Sequence, residues 1–152
     1  MKNKAGYAAG ALSLVLMAAA TAALCTAASA QPAGRNVWDG VYTTEQATRG
    51  QVAYAAQCAI CHAATLSGGD VTPPLAGPTF LGAWTSTNAL ELFNRIHETM
   101  PIADPGSLSR AQTADVVAYI FQTNGFPAGD TAMPPVDPAL ANIVITSSKP
   151  GP

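Results

Sequence analysis

Two cysteines three positions apart, followed at once by a histidine, constrain this chain more than any other feature: Cys58-Ala59-Ile60-Cys61-His62. On a helical turn, side chains at i and i+3 project to the same side. Both sulfurs can therefore reach one partner, with the imidazole of His62 beside them. Three chemistries use cysteines in this way: a thioredoxin-like dithiol, a structural zinc site, and covalent attachment of a cofactor. The compartment and the surrounding elements decide among them.

The compartment is written at the start of the chain. Lys2 and Lys4 make a basic start, Ala8 to Leu24 is apolar and uncharged, and Ala28-Ser29-Ala30 offers a small-x-small cleavage site. This is the pattern of a secretory leader over residues 1–30, removed to leave Gln31 first. An uncleaved membrane anchor is the rival reading of the apolar stretch, and a lipidated Cys25 is another. The cleavage site argues against the first, and Leu24, where lipoprotein processing wants a small side chain, argues against the second. Cleavage would leave no membrane anchor. It would also take Lys2 and Lys4 from the seven basic residues while all nine acidic ones stay, for a net charge of about −4. A mildly acidic chain has no electrostatic footprint for nucleic acid, although it can be steered towards a basic patch on a protein partner. Cys25 leaves with the leader, so the exported chain keeps Cys58 and Cys61 alone. In an oxidising compartment such a pair would otherwise close into a strained disulfide, and something else must claim them.

Three helices can be read in the exported chain. Residues 31–42 form an arm with Pro32, Gly34 and Gly40 and no helical period. A first helix starts at Thr43, where Thr43 and Gln46 have capping-box spacing, and runs through Gly50 and Tyr54 to about Cys58. Residues 63–84 hold Gly68, Gly69, Pro73, Pro74, Gly77, Pro78 and Gly82. That density of breakers predicts a long ordered loop. A second helix spans Asn88 to Thr99, capped by Thr87, with Leu90, Phe93 and Ile96 at three-residue spacing, and ends at Pro101. A third spans Arg110 to Thr123, with Ser109 and Gln112 as a capping box. Val116, Val117, Ile120 and Phe121 are its apolar stripe, and Asn124-Gly125 is its stop signal. The tail, with Pro127, Pro134, Pro135 and Pro138, is expected to lie over the surface or to be partly disordered. No strand pattern predicts a sheet, so the core should be helical.

That setting favours covalent attachment. A βαβ unit for a thioredoxin-like pair is missing from the pattern, and a zinc site would need four ligands where the exported chain adds only His97. The remaining chemistry is a c-type haem: Cys58 and Cys61 add across the two vinyl groups of one porphyrin, and His62 points at the iron. A sixth iron ligand must come from elsewhere. Met100-Pro101, at the end of the second helix, leads, because a thioether is a known ligand opposite histidine. Met133-Pro134 repeats the dipeptide beyond the third helix, and His97 could give a two-histidine haem. A lone methionine is ordinarily core filler, and His97 ordinarily a surface residue on a polar helix face. Trp84, Asn94 and Arg95 could hydrogen-bond the haem propionates, or serve as a core indole and a solvated helix face.

The order of capped helix, CxxCH, Pro/Gly loop, middle helix, Met-Pro and C-terminal helix resembles the class I cytochrome c family over roughly Thr43 to Asn124. The resemblance implies an all-α fold of three main helices around one covalent haem c, with an arm at 31–42, the cytochrome domain at 43–125 and a Pro-rich tail at 126–152. It implies that the first and last helices cross through Gly50 and Tyr54, against Val116, Tyr119 and Ile120. Pro73-Pro74-Leu75-Ala76-Gly77 resembles the family's Gly-Pro-x-Leu-x-Gly stretch, whose proline carbonyl, that of Pro73 here, accepts the proximal histidine's other N–H; Thr72 replaces the first glycine. The flanks Val37-Trp38-Asp39-Gly40-Val41-Tyr42 and Asn124-Gly125-Phe126-Pro127-Ala128-Gly129 resemble cytochromes associated with bacterial quinoprotein (PQQ) dehydrogenases. The implied task is one-electron transfer in the periplasm, as a carrier or as the cytochrome subunit of a periplasmic dehydrogenase, and not catalysis. The donor would be a dehydrogenase, and the acceptor an oxidase or another cytochrome. A small haem enzyme or a gas sensor would need a labile or vacant sixth position.

Overall fold

The computed structural model describes residues 34–151; the leader and its cleavage site lie outside them. No helix among the described residues is long and apolar enough to cross a membrane.

Helix α1 (Thr44–Gln57) begins where the chain leaves an extended Thr43, whose hydroxyl accepts the backbone N–H of Gln46 at 3.2 Å. That contact fills one of the donors every helix start leaves open. The reciprocal half of the capping box is not made. Gln46 is buried, and its amide turns away to the tail: Nε2 donates to the Met133 carbonyl at 3.0 Å, and its oxygen accepts the Met133 N–H at 2.8 Å. One turn, α2 (Ala59–His62), follows α1 almost without a break. Helix α5 (Arg110–Thr123) opens on a complete capping box of Ser109 and Gln112. Gly50 explains how α1 and α5 meet. A Cβ there would overlap the Asp115 carbonyl and sit 3.0 Å from the Tyr119 Cβ, so only glycine lets the backbones approach this closely. Tyr54 lies one turn further along and packs its ring against Tyr119, centroids 5.4 Å apart. A forked pair, Arg49 to Asp115 at 2.9 and 3.0 Å, borders the crossing.

Three expectations need correction. The breaker-rich segment is not loop throughout: Pro78–Trp84 forms helix α3. Proline lacks an N–H that the first helical position would leave unsatisfied anyway, so it opens a helix where it would break the interior of one. The next helix, α4 (Ala89–Thr99), is capped by Asn88, whose side chain accepts from the Glu91 N–H at 3.1 Å. The hydroxyl of Thr87 instead donates to the Trp84 carbonyl at 2.8 Å.

The largest correction concerns the tail. Phe126, Met133, Leu140, Ile143 and Ile145 are buried in the same core as Phe93, Val117 and Phe121. The tail carries a short helix, α6 (Asp137–Ala141), and a strand, β2 (Ile143–Val144), paired in parallel with β1 (Arg35–Asn36) of the arm. This small sheet is the exception to a helical architecture. Arm and tail grip each other further along. The Tyr42 hydroxyl donates to the Phe126 carbonyl at 2.5 Å, the Gly129 N–H to the Tyr42 carbonyl at 2.7 Å, and Trp38 meets Phe126 edge to face. Gly40 and Gly129 cross so closely that a Cβ on Gly40 would stand 2.8 Å from the Gly129 Cα. The two flanks singled out in the sequence are thus halves of one clasp.

Candidate functional site

The end of α1 gathers the cysteines and the histidine. The N–H of Cys58 closes the last turn on the Tyr54 carbonyl at 2.8 Å. The Cys58 carbonyl then accepts from Cys61 at 3.1 Å and His62 at 2.9 Å, so residues 58, 61 and 62 occupy one turn. The two sulfurs are not bonded to each other; Cys58 is half-buried and Cys61 exposed, beside an Ile60 that is 93% exposed. Burial pushes the Cys58 thiol up to about 11. A redox-active dithiol depends on a lowered thiol pKa, so this environment is the reverse of what thiol exchange needs.

His62 is buried, and its Nδ1 lies 3.0 Å from the Pro73 carbonyl oxygen. A carbonyl can only accept, which places the proton on Nδ1 and leaves Nε2 with a free lone pair for a metal. The loop that brings Pro73 there is tied at several points. The Gly68 N–H reaches the His62 carbonyl at 3.0 Å, Gly69 and Thr72 bond each other's backbones, and the Leu75 N–H reaches the Leu66 carbonyl at 2.8 Å. Ala63, Leu66 and Gly68 (φ +71°) take left-handed backbone here, and at Gly68 a Cβ would overlap the Thr72 carbonyl and press on Pro73. Thr72 is not among the positive-φ residues, so the turn works without a glycine at that position.

The candidates for the sixth position are spread apart. Met100 caps the C-terminus of α4 in extended conformation, half-buried against the core, with its N–H on the Ile96 carbonyl at 3.0 Å. Met133 is buried, its backbone held by Gln46 in the first turn of α1. His97 faces α5, where Nδ1 lies 3.3 Å from the Thr113 hydroxyl, and its ring packs on Phe93. Trp84 is half-buried beside Phe80, Asn94 is half-buried and Arg95 is exposed. No group of three or more His, Cys, Asp or Glu gathers to hold a bare metal ion among the described residues. The donor set fits a porphyrin: two cysteine sulfurs and an imidazole with one nitrogen anchored and one open.

Residues 45–120 match the family model described as cytochrome c oxidase, cbb3-type, subunit III. The chain belongs to this family of class I c-type cytochromes. The cytochrome therefore has the all-α cytochrome c fold, carries covalent haem c and transfers electrons. It is also similar to a chain in the crystal structure of the sulfane dehydrogenase SoxCD from Paracoccus pantotrophus. The identity is 24%, with a TM-score of 0.49, over 62% of the cytochrome and 55% of that chain. The cytochrome thus spans little more than half the length of that relative. No curated protein matches it.

Sequence reasoning missed helix α3 and the burial of the tail. Pro78 after Gly77 was an available signal for the helix, since proline is favoured at a first helical position. For the tail, the paired short apolar runs of arm and tail were the available signal.

Proposed function

We propose that the cytochrome is an exported one-electron carrier, acting freely or as the electron-transfer subunit of a periplasmic dehydrogenase. Cys58 and Cys61 would hold the haem covalently, and His62 and Met100 would bind its iron. The observation that carries this reading is the His62–Pro73 hydrogen bond, which fixes the tautomer and aims an open Nε2 away from the loop. Bound haem supplies the Fe(III)/Fe(II) couple; the chain's residues set its position and potential. Pro73 raises the basicity of His62, and the Met100 thioether favours the reduced ion. Met133 suits the sixth position poorly. Its backbone is pinned at the start of α1, and the 14 residues of that helix put about 21 Å between its ends. With His62 and Met100 both bound to the iron, small gases would find no open site. The net charge of about −4 after leader removal steers the carrier towards basic patches on its donor dehydrogenase and on an acceptor oxidase or second cytochrome.

Three measurements test this. The reduced protein should keep its spectrum under carbon monoxide and titrate as a one-electron couple. Ready gas binding would instead make it a small haem enzyme or a sensor. N-terminal sequencing of the secreted protein should begin at Gln31, whereas a start that retains Lys2, or a lipidated Cys25, would refute export by a cleaved leader.

A further inference from the structure

The sequence reads Asn124 as a helix stop, but its side chain does more than end α5. The carboxamide nitrogen donates to the Leu75 carbonyl at 3.0 Å and to the Ile120 carbonyl at 2.8 Å, and its oxygen accepts the Gly77 N–H at 3.0 Å. Both protons and one oxygen of the amide are thus engaged, two of the three bonds reaching a loop 47 and 49 residues away. The segment from Pro73 to Gly77 is caught between two anchors. On one side the Leu75 N–H is fixed to Leu66; on the other Leu75 and Gly77 are fixed to Asn124. Leu75 and Ala76 are only partly buried, so apolar packing alone does not immobilise the stretch.

We infer that Asn124 is a positioning residue for the haem's histidine: by clamping the Pro73–Gly77 loop to the end of α5, it holds the Pro73 carbonyl at hydrogen-bonding distance from His62. This rests on the reading of His62 as the proximal ligand. The physical consequence lies at the iron. A firm bond from Nδ1–H to a carbonyl makes the imidazole a stronger electron donor, which favours Fe(III). A loosened loop weakens that bond and favours Fe(II).

The test uses the haem-loaded protein and four forms: the parent, Asn124→Ala, Asn124→Asp and Ser109→Ala. The last loses the cap at the opposite end of the same helix and touches nothing in the loop. Asn124→Ala, which removes both bonds to the loop, should raise the reduction potential and speed proton exchange at His62 Nδ1, on the order of tenfold for a His62–Pro73 contact weakened by the worth of one hydrogen bond. Asn124→Asp keeps an acceptor for the Gly77 N–H but loses the donor to Leu75; its added negative charge lowers the potential by itself, so this variant is read by proton exchange at His62 Nδ1, which should speed up by less than in Asn124→Ala. It serves alone should the alanine variant fail to load haem. Ser109→Ala should lower the melting temperature and leave both readouts at the parent values. Unmoved readouts in the Asn124 variants, or an equal shift in Ser109→Ala, would overturn the proposal. If the parent itself shows no His62 ring resonance shifted by the iron, the fault lies with the assignment of the proximal ligand and not with the clamp.

Discussion

Met100→Ala should abolish the sulfur-to-iron charge-transfer absorption of the oxidised protein, lower its potential and open its iron to carbon monoxide. Met100 sits where α4 ends and the backbone becomes extended, followed by a proline that cannot continue the helix. A thioether stabilises the reduced ion, and its loss leaves water or nothing in its place. The fall in potential should be on the order of 100 mV, within the roughly 0.8 V over which axial ligands tune haem. Met133→Ala and His97→Ala are the controls. Met133 is a fully buried side chain, and its truncation should cost about 2–5 kcal/mol of stability while leaving the spectrum intact. His97 faces Thr113 on α5, and its loss should leave absorption and potential alone. A spectrum that survives loss of Met100, or vanishes with Met133, would refute this assignment.

Gly50→Val should destabilise the haem-loaded domain by about 3 kcal/mol or more, at the upper end of overpacking costs. The new Cβ would meet the carbonyl of Asp115, which is backbone inside a helix and cannot swing aside as a long side chain can. The helices would have to part, loosening Tyr54 against Tyr119 as well. Denaturant unfolding followed through the haem absorption measures this directly. A variant that unfolds with the parent would mean that the two helices do not meet through Gly50 in solution.

Local chemistry was legible in the sequence, and long-range chemistry was not. Cys58, Cys61 and His62 fall on one turn because their spacing is helical, and Thr43 and Ser109 cap their helices because short oxygen-bearing side chains suit that position. Gly50 and Tyr54 could be placed by family likeness, since a small residue beside an aromatic is what a tight crossing requires. Three residues show where such reading stops. Gln46 has the spacing of a cap partner, yet spends its amide on Met133, 87 residues away. Pro78 counts as a breaker until it is known to stand first in its helix. Asn124 looks like punctuation, although most of its bonding is to a loop far earlier in the chain. For Gln46 and Asn124 the deciding partner lies outside the window over which periodicity operates, whereas Pro78 needed only its place directly after Gly77 to be weighed. The tail escaped notice for a related reason: Phe126 meets Trp38 of the arm as well as the nearby Phe121, and the Ile145 backbone is bonded to Ser86 and Thr87, nearly sixty residues earlier.

The clasp between arm and tail also bears on the order in which the chain reaches its native state. Pairing Arg35 with Ile143 closes a loop of more than a hundred residues, and the entropy lost on closure is not recovered until the contact is complete. The turns of α1 and α5 need only local contacts and can form much sooner. An early compact species would therefore hold its helices near one another while both flanks remain unlatched, with Phe126, Met133 and Leu140 still in water. Residence in that half-closed state is when the chain is most exposed to proteases and to association with its own kind. The final latching of two short flanks, rather than the formation of any helix, would then set how long the newly made protein remains vulnerable.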